Sequence, residues 1–447
     1  MSAASLFVGV SKRVITPKLG CELAGFDARK GVAARVHDDL FASVILISKG
    51  NETVALVSLD LIGIAQETTN AIRAAVHASR GIAERNVILC ATHTHCAPVT
   101  IKHFFNGDQN LDAQYLGFLH SQVINAIEEA YDQREPGIVK SGLVRIEGVA
   151  VNRRTENGKP VDDDAGVLLA EDMNGKVKAV LVNFACHPTV LGPNTLDVTR
   201  DFPHYLVKSL NERLGEDVLP LYFNGTEGDI SVGHKSFLSA VGVIAPFRTY
   251  KKAQEIGERL AAGVINGLPT LIEEALELLC EHSIVSLPLK TYSPLTEMQQ
   301  VTIDARTALT AAENIEVEGK PPTTETILRR QDFLFARIEE YYASLREGNT
   351  ADTLPIEVSV VRIGGSALLF VPGEVFVEIG LAIRSGSPFP RTMIFGLAND
   401  YIGYVPTIEQ SKQSGYEVVA ARVTPEASLM LEEDSVALLK VAFAREA

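Results

Sequence analysis

Residues 91–98 read ATHTHCAP and follow the apolar, β-prone run NVILC. That run delivers His93 and His95 to the point where a buried strand should end. Side chains two residues apart on a strand share a face, so the spacing predicts both imidazoles looking into one pocket. Imidazole is the commonest protein ligand of catalytic zinc. Such a site takes about three protein ligands and keeps one position open for water.

Other apolar runs also end on polar residues. TVALVSLD ends on Asp60, AVLVNFACHP on His187, and LPLYFNGTEGDIS in a turn holding Glu227, Asp229 and Ser231. LLFVPGE ends on Glu374, and TMIFGLANDYIGY on Asn399, Tyr401 and Tyr404. In α/β sheets, ligands bind outside the carboxyl ends of strands. Each residue also has a plain structural reading. His187 is a hydrogen-bonded strand-end residue, Glu374 caps the following helix, Tyr404 and Tyr416 are half-buried tyrosines, and Ser231 closes a turn. Asp60 is a candidate for orienting a ligand histidine. His37, His103 and His234 lie close enough in sequence to approach such a site.

The elements that must position these groups alternate between strand-like and helix-like runs. The strand-like runs are ASVILIS, TVALVSLD, NVILCAT, VKAVLVNFA, LPLYFNG, EVSVVRIG, ALLFVPG and TMIFGLA. Helical spacing of apolar residues spans 65–80, 112–132, 202–214 and 251–275, and the tail 426–445 reads as one helix. The pattern predicts an α/β fold with a mixed β-sheet flanked by helices. ASVILISKGNE and TVALVSLD read as a hairpin turning at Lys49, Gly50 and Asn51. Residues 296–350 are rich in charged residues and predict two helices, broken at EGKPPTTET, packed as an antiparallel hairpin. The expectation is one catalytic domain over residues 1–447, with that hairpin as an elaboration within it.

With 41 Lys plus Arg against 56 Asp plus Glu, the chain carries a net charge of −15. That charge repels phosphate backbones, so nucleic acid is not an expected partner. No run approaches the roughly 20 apolar residues of a membrane span. The N-terminus lacks the basic head and apolar stretch of a secretory signal, which makes the cytoplasm the expected location. Five cysteines in a chain this long argue against a disulfide framework. Walker loop, GxGxxG, GxSxG and CxxC signatures are all absent from the sequence, which sets aside nucleotide, dinucleotide and serine-elbow chemistry.

Taken together, VGVSKRVITP, RVHDDLFASVILIS, THTH, VNRR, NFACHPTVLG, GDIS, PGE and LANDYIGYVPT, with the Tyr416-Glu417 pair, resemble the neutral/alkaline non-lysosomal ceramidases in order and rough spacing. The resemblance runs from about residue 8 to about 420. It implies that fold and a zinc-dependent amide hydrolase acting on a small-molecule or lipid-like amide. By the same resemblance, His93, His187, Glu374 and Tyr404 are zinc ligands and His95 is the proton-transfer residue. Arg153 and Tyr416 are the oxyanion donors, and Ser231 matches a serine that has been treated as a nucleophile. Physically, two imidazoles, a carboxylate and a phenolate suit Zn²⁺. A serine nucleophile is redundant beside a metal-activated water, so Ser231 is expected to act as a hydrogen-bonding residue.

The sequence departs from the family pattern at several places. THTHSGP is here THTHCAP, GDxSPN is GDISVGH, and YEGG is YEVV. The C-terminal β-sandwich of long family members is not present in these 447 residues. Cys96 reads as a small buried residue. The departures fall at the pocket mouth and its turns, so they bear on substrate shape more than on metal binding. Esters, lactones and carbohydrate-derived substrates on the same scaffold, or a non-catalytic metal-binding role, are the alternatives. The sequence leaves the oligomeric state open.

Overall fold

Both faces of the central strands are apolar, and each face meets a different partner. In Phe41–Lys49, Ile45 and Ile47 enter a buried cluster with Leu368 and Phe370 of a second sheet, whereas Val44 and Leu46 pack against Ile72, Val76, Leu119 and Val123 of helices. The period-two alternation of the strand thus divides its side chains between a sheet–sheet interface and a sheet–helix interface. This protein is described by a computed structural model covering residues 6–103, 111–275, 277–316 and 321–445.

The larger sheet runs in the spatial order Leu219–Asn224, Val177–Phe184, Asp164–Asp172, Glu135–Arg145, Leu6–Val14, Phe41–Lys49, Glu52–Leu59, Val87–Ala91, with Ile272–Glu273 added beside Glu135–Arg145. The pair at each end of that order is parallel and the pairs between are antiparallel, so the sheet is mixed as the sequence predicts. The sheet curls until its ends meet. Ser58 Oγ donates to the Tyr222 carbonyl at 2.6 Å, and Asn224 Nδ2 donates to the Thr92 carbonyl at 3.2 Å. This closure brings the turn after Val87–Ala91 next to the turns after Val177–Phe184 and Leu219–Asn224.

The smaller sheet contains Leu278–Pro288, Thr353–Ile363, Ser366–Phe370 and Arg391–Phe395, of which only the last pair is parallel among the described strands. Its far face packs on helices Thr324–Arg346, Val377–Gly386 and Ala427–Ala444 through Leu334, Ile338, Ile379, Ile383, Leu431 and Leu439. A short parallel bridge beyond it pairs Glu374 with Tyr404. That register sets two of the expected site residues side by side.

The hairpin at residues 49–52 forms as expected, with Lys49 paired to Glu52 and Gly50 at φ 58° in the turn. Helices Leu295–Glu313 and Thr324–Arg346 pack as a hairpin, tied by Arg330 to Glu313 and Glu316. Residues 318–320 of the expected break at EGKPPTTET lie outside the described residues.

Two expectations need correction. The helix expected over 251–275 spans Tyr250–Gly267; a short 3-10 turn containing Pro269 follows, and Ile272–Glu273 is a strand. Proline cannot donate the backbone bond that would continue the helix. Gly267 also packs so tightly on Val144 that a Cβ there would lie 2.4 Å from a side-chain carbon. In addition, Leu6–Val14, Glu135–Arg145, Asp164–Asp172 and Leu278–Pro288 are strands that stand outside the strand-like runs of the sequence. In three of them the apolar positions are interrupted by Lys, Arg, Glu, Gly or Pro; Asp164–Asp172 has the short buried apolar run Val167–Ala170 between acidic ends.

Candidate metal centre

The strand Val87–Ala91 ends before either histidine of the THTH block. His93 has φ 69°, a left-handed conformation that is strained for a non-glycine residue. The turn is pinned by His93 N donating to the Leu61 carbonyl at 2.8 Å and by Thr94 Oγ1 donating to the Thr199 carbonyl at 2.7 Å. The two imidazoles do converge, with ring centres 5.0 Å apart. They do so through this strained reversal and not through strand alternation, which corrects the argument from spacing.

His187 arrives from the turn after Val177–Phe184, its ring centre 4.9 Å from that of His93 and 6.2 Å from that of His95. Each of the three rings offers a nitrogen within 4.8 Å of the others, so the cluster can hold a metal ion. His93 Nδ1 lies 2.6 Å from the Ile62 carbonyl and His187 Nδ1 lies 2.9 Å from the Ile230 carbonyl. A carbonyl oxygen only accepts, so each Nδ1 carries a proton, and in the neutral form of each ring the Nε2 lone pair turns the other way. Both lone pairs face one oxygen: Glu374 Oε2 is 2.8 Å from His187 Nε2 and 3.4 Å from His93 Nε2.

Three acceptors meeting at one buried point repel one another unless a cation or a proton sits between them. The donor set of two imidazoles and a carboxylate suits a zinc-like ion. Carbonyl-anchored imidazoles are also the usual way a protein fixes the tautomer of a metal-binding histidine. The residues present therefore fit the metal that the sequence expectation names.

His95 is different. Both its ring nitrogens are buried and lack a hydrogen-bond partner among the described residues. Its ring lies against Phe26, centres 4.7 Å apart, and against Gly25, where a Cβ would come within 2.3 Å of the imidazole. Gly25 also has φ +94°. Burial, followed by the neighbouring His93 and His187, lowers the His95 pKa well below the ordinary imidazole value, so the ring is neutral. Burial, with Arg153 nearby, lowers His187 to about 4. Burial opposes ionisation of Glu374, but positive charge on the facing His93 and His187 rings holds it well below the usual carboxylate range.

Around these groups lies a second tier. Tyr401 donates its hydroxyl to Glu374 Oε1 at 2.6 Å. Arg153 donates through Nη2 to the Tyr404 hydroxyl at 3.2 Å and to the Gly228 carbonyl at 2.8 Å. Its Nε lies 2.8 Å from Glu417, which also pairs with Arg154 at 3.0 Å. Burial works against the charge of Arg153, but Glu417 and Tyr404 outweigh it and keep the guanidinium protonated. The Tyr416 and Tyr404 rings meet edge to face, centres 5.7 Å apart. His93, His95, His187, Glu374, Arg153, Tyr404 and Tyr416 are thus gathered at one place.

Two candidates sit elsewhere. Asp60 accepts from Phe41 N at 2.9 Å and from Thr92 Oγ1 at 3.4 Å, and the Ile62 carbonyl two residues on orients His93 in its stead. Ser231 is fully buried in the short strand Ile230–Ser231, where its hydroxyl donates to the His234 carbonyl at 2.9 Å and accepts from Gly233 N at 3.2 Å. It holds its own turn closed. Cys96 is buried, as expected.

The roles of Tyr401 and Glu227 were not legible in the sequence. Glu227 is fully buried beside Glu374, with neither oxygen partnered among the described residues; burial, then the charge of Glu374, push its pKa well up. Its only advance signal was its place in the GTEGDIS turn. His37, Asp38 and His204 form a second cluster of donors. There the Arg200 guanidinium lies 3.1 Å from Asp38 and 2.9 Å from His204 and supplies the cation.

Residues 6–205 match the family described as neutral/alkaline non-lysosomal ceramidase, N-terminal. Those residues belong to that family. The ceramidase-family segment carries His93, His95, Arg153 and His187. Glu374, Tyr404 and Tyr416 lie beyond it, where the likeness is one of fold. The chain is similar to the neutral ceramidase from Pseudomonas aeruginosa, with a TM-score of 0.75 at 18% identity, covering 99% of this chain and 75% of that one. It is also similar to a ceramidase complexed with C2, with a TM-score of 0.73 at 17% identity, covering 98% of this chain and 76% of that one. The mixed α/β architecture is that of the neutral ceramidases. No described helix is long and apolar enough to cross a membrane.

Proposed function

We propose that this chain is a zinc-dependent hydrolase of a linear amide, an N-acyl compound, with His93, His187, Glu374 and Tyr404 as the metal-holding residues. The observation that carries the reading is the convergence of two imidazole lone pairs and one carboxylate oxygen on a single buried point. When bound there, a zinc ion lowers the pKa of a water to about 7 and polarises the amide carbonyl.

The chain's own residues do the rest. His95, neutral and with both nitrogens unengaged, accepts a proton as the nucleophile forms and returns it to the departing amine nitrogen. Arg153, kept charged by Glu417, and Tyr416 supply donors for the oxygen that becomes negative as the carbonyl carbon turns tetrahedral. Each such donor is worth about 2.7–4 kcal/mol in a dry site. Tyr401 fixes the Glu374 carboxylate, and the Ile62 and Ile230 carbonyls fix the two ligand imidazoles. A second arrangement, with His95 itself as a metal ligand, is favoured by the three imidazole nitrogens lying within one cluster.

The test is metal content and turnover on one preparation. About one zinc per chain, with hydrolysis of N-acyl amides lost on chelation and restored by zinc, supports the proposal. A stripped protein that keeps full amide-hydrolysing activity ends it. A parallel panel of esters and lactones separates amide from ester chemistry.

A further inference from the structure

Two small chambers flank His95, and their walls differ in kind. One, of about 20 Å³, is bounded by Ala24, Ile62, Ile101 and Tyr401 on the side of the metal cluster. The other, of about 30 Å³, is bounded by Phe26, Thr189, His234, Ser236, Ser239 and Tyr416. Each admits only the end of a substrate, about one or two water-sized groups, since roughly 10–15 Å³ of such space takes one water.

The second chamber is polar, and two guanidinium groups that make no carboxylate contact among the described residues lie behind its wall. No aspartate or glutamate lines it among the described residues. Behind Ser239 lies the buried guanidinium of Arg248, which donates to that hydroxyl at 2.7 Å and otherwise to the carbonyls of Thr189, Val190 and Leu191. Arg29 donates to the carbonyls of Ala24, His95 and Thr195. Both guanidinium groups lie against the Phe26 ring, at 4.9 Å for Arg29 and 5.2 Å for Arg248. Neither has a carboxylate oxygen within 4.0 Å among the described residues. Asp201, the nearby acid, has its oxygens on the backbone amides of Leu191 and Phe202. Arg153 is paired with Glu417, which it shares with Arg154. At the chamber wall His234 is only 7% exposed, and its Nδ1 has no partner among the described residues. A buried ring nitrogen left unpaired costs free energy unless something arrives to meet it.

We infer that the Phe26–His234 chamber receives a carboxylate on the amine half of the substrate, which makes the substrate class small N-acyl amino acids, with the short acyl group on the Ile62–Ile101 side. The inference rests on the amide-hydrolase reading. His234 Nδ1 and the Ser239 hydroxyl, which accepts from Arg248 and so has its own proton to give, are the direct contacts, and Arg248 and Arg29 supply the field; Ser236 instead donates to Glu417 at 2.5 Å. His234 is then a positioning residue for the substrate.

The experiment titrates N-butanoylglycine and N-butanoylethanolamine, in which an alcohol replaces the carboxylate, into the zinc-loaded protein by calorimetry, and assays both for hydrolysis. The carboxylate should bind at least about tenfold more tightly, and His234→Phe, which keeps a ring and removes the donor, should abolish most of that preference by raising KM for the carboxylate alone, as expected for one hydrogen bond to a charged group. Arg248→Met should act in the same direction; because it strands three buried carbonyls, His234→Phe is the decisive variant. A preference unchanged in His234→Phe would assign the carboxylate to the metal and overturn the inference. Equal binding of the two compounds, or binding of neither, would also overturn it. Hydrolysis of both without preference would do so while leaving the amidase reading standing. Preferential binding without hydrolysis of either would uphold the chamber and remove the amidase reading.

Discussion

Tyr401 donates its hydroxyl to one oxygen of Glu374 at 2.6 Å, while the other oxygen of that carboxylate faces His187 at 2.8 Å. The carboxylate is held from behind by a phenol and aimed at the imidazole cluster. Removing such an outer partner typically lowers metal affinity about 10–100-fold. Tyr401→Phe is therefore expected to weaken zinc binding by that order in a competition with a chelating dye, with the circular dichroism spectrum unchanged. Unaltered affinity would mean that Glu374 does not hold the metal.

The two histidines of the THTH block are expected to fail in different ways. His93→Ala removes a lone pair aimed at Glu374 and should lose stoichiometric zinc. His95→Ala should keep the metal and lose turnover by about 10²–10⁴-fold, the range for a positioned acid–base group. If His95→Ala also loses its zinc, the three-histidine arrangement replaces the proposed one.

Gly25 has no room for a side chain. A Cβ there would sit 2.3 Å from the His95 ring on a backbone with φ +94°. Gly25→Ala is expected to cost roughly 1–3 kcal/mol in denaturant stability through backbone strain. It should also reduce kcat by displacing His95, while zinc content stays near one. Wild-type kcat would show that the ring position does not matter.

Asp60 gives a prediction about pH. Burial raises its pKa to about 6, from an ordinary value of 3.8, despite the nearby Arg200. A folded-state pKa above the unfolded one means that the group's contribution is fully present below about 4 and is lost as pH rises through about 6. Asp60→Asn keeps the contacts to Phe41 N and Thr92 without the ionisation. The stability of the variant relative to wild type should therefore increase between pH 4.5 and 7.5, by on the order of 3 kcal/mol at most. Urea midpoints at the two pH values measure it, and a difference that stays flat would show that Asp60 is not ionising in the fold.

Glu417 pairs with two buried arginines, Arg153 and Arg154, at 2.8 and 3.0 Å. Glu417→Gln strands both charges, and breaking buried pairs of this kind typically costs about 3–5 kcal/mol. A melting temperature within a degree of wild type would contradict the ion-pair account.

What the sequence determined on its own was the chemistry on offer and the elements that carry it. THTH, NFACHP and PGE place two imidazoles and a carboxylate just past apolar runs, and the mixed sheet follows from a hairpin set among strand–helix alternations. These features are local, written in residue type and period, so they can be read without coordinates. The tertiary structure decided what each group faces. His93 reaches the cluster through a left-handed turn, because the reversal is imposed by Leu61 and Thr199, residues distant in sequence. Asp60 gives way to the Ile62 carbonyl, and Tyr401 takes Glu374, because hydrogen-bond partners are set by the placement of segments more than 25 residues apart. The strands broken by Lys, Glu or Pro were invisible for the same reason: their stability comes from neighbours across the sheet and not from their own composition.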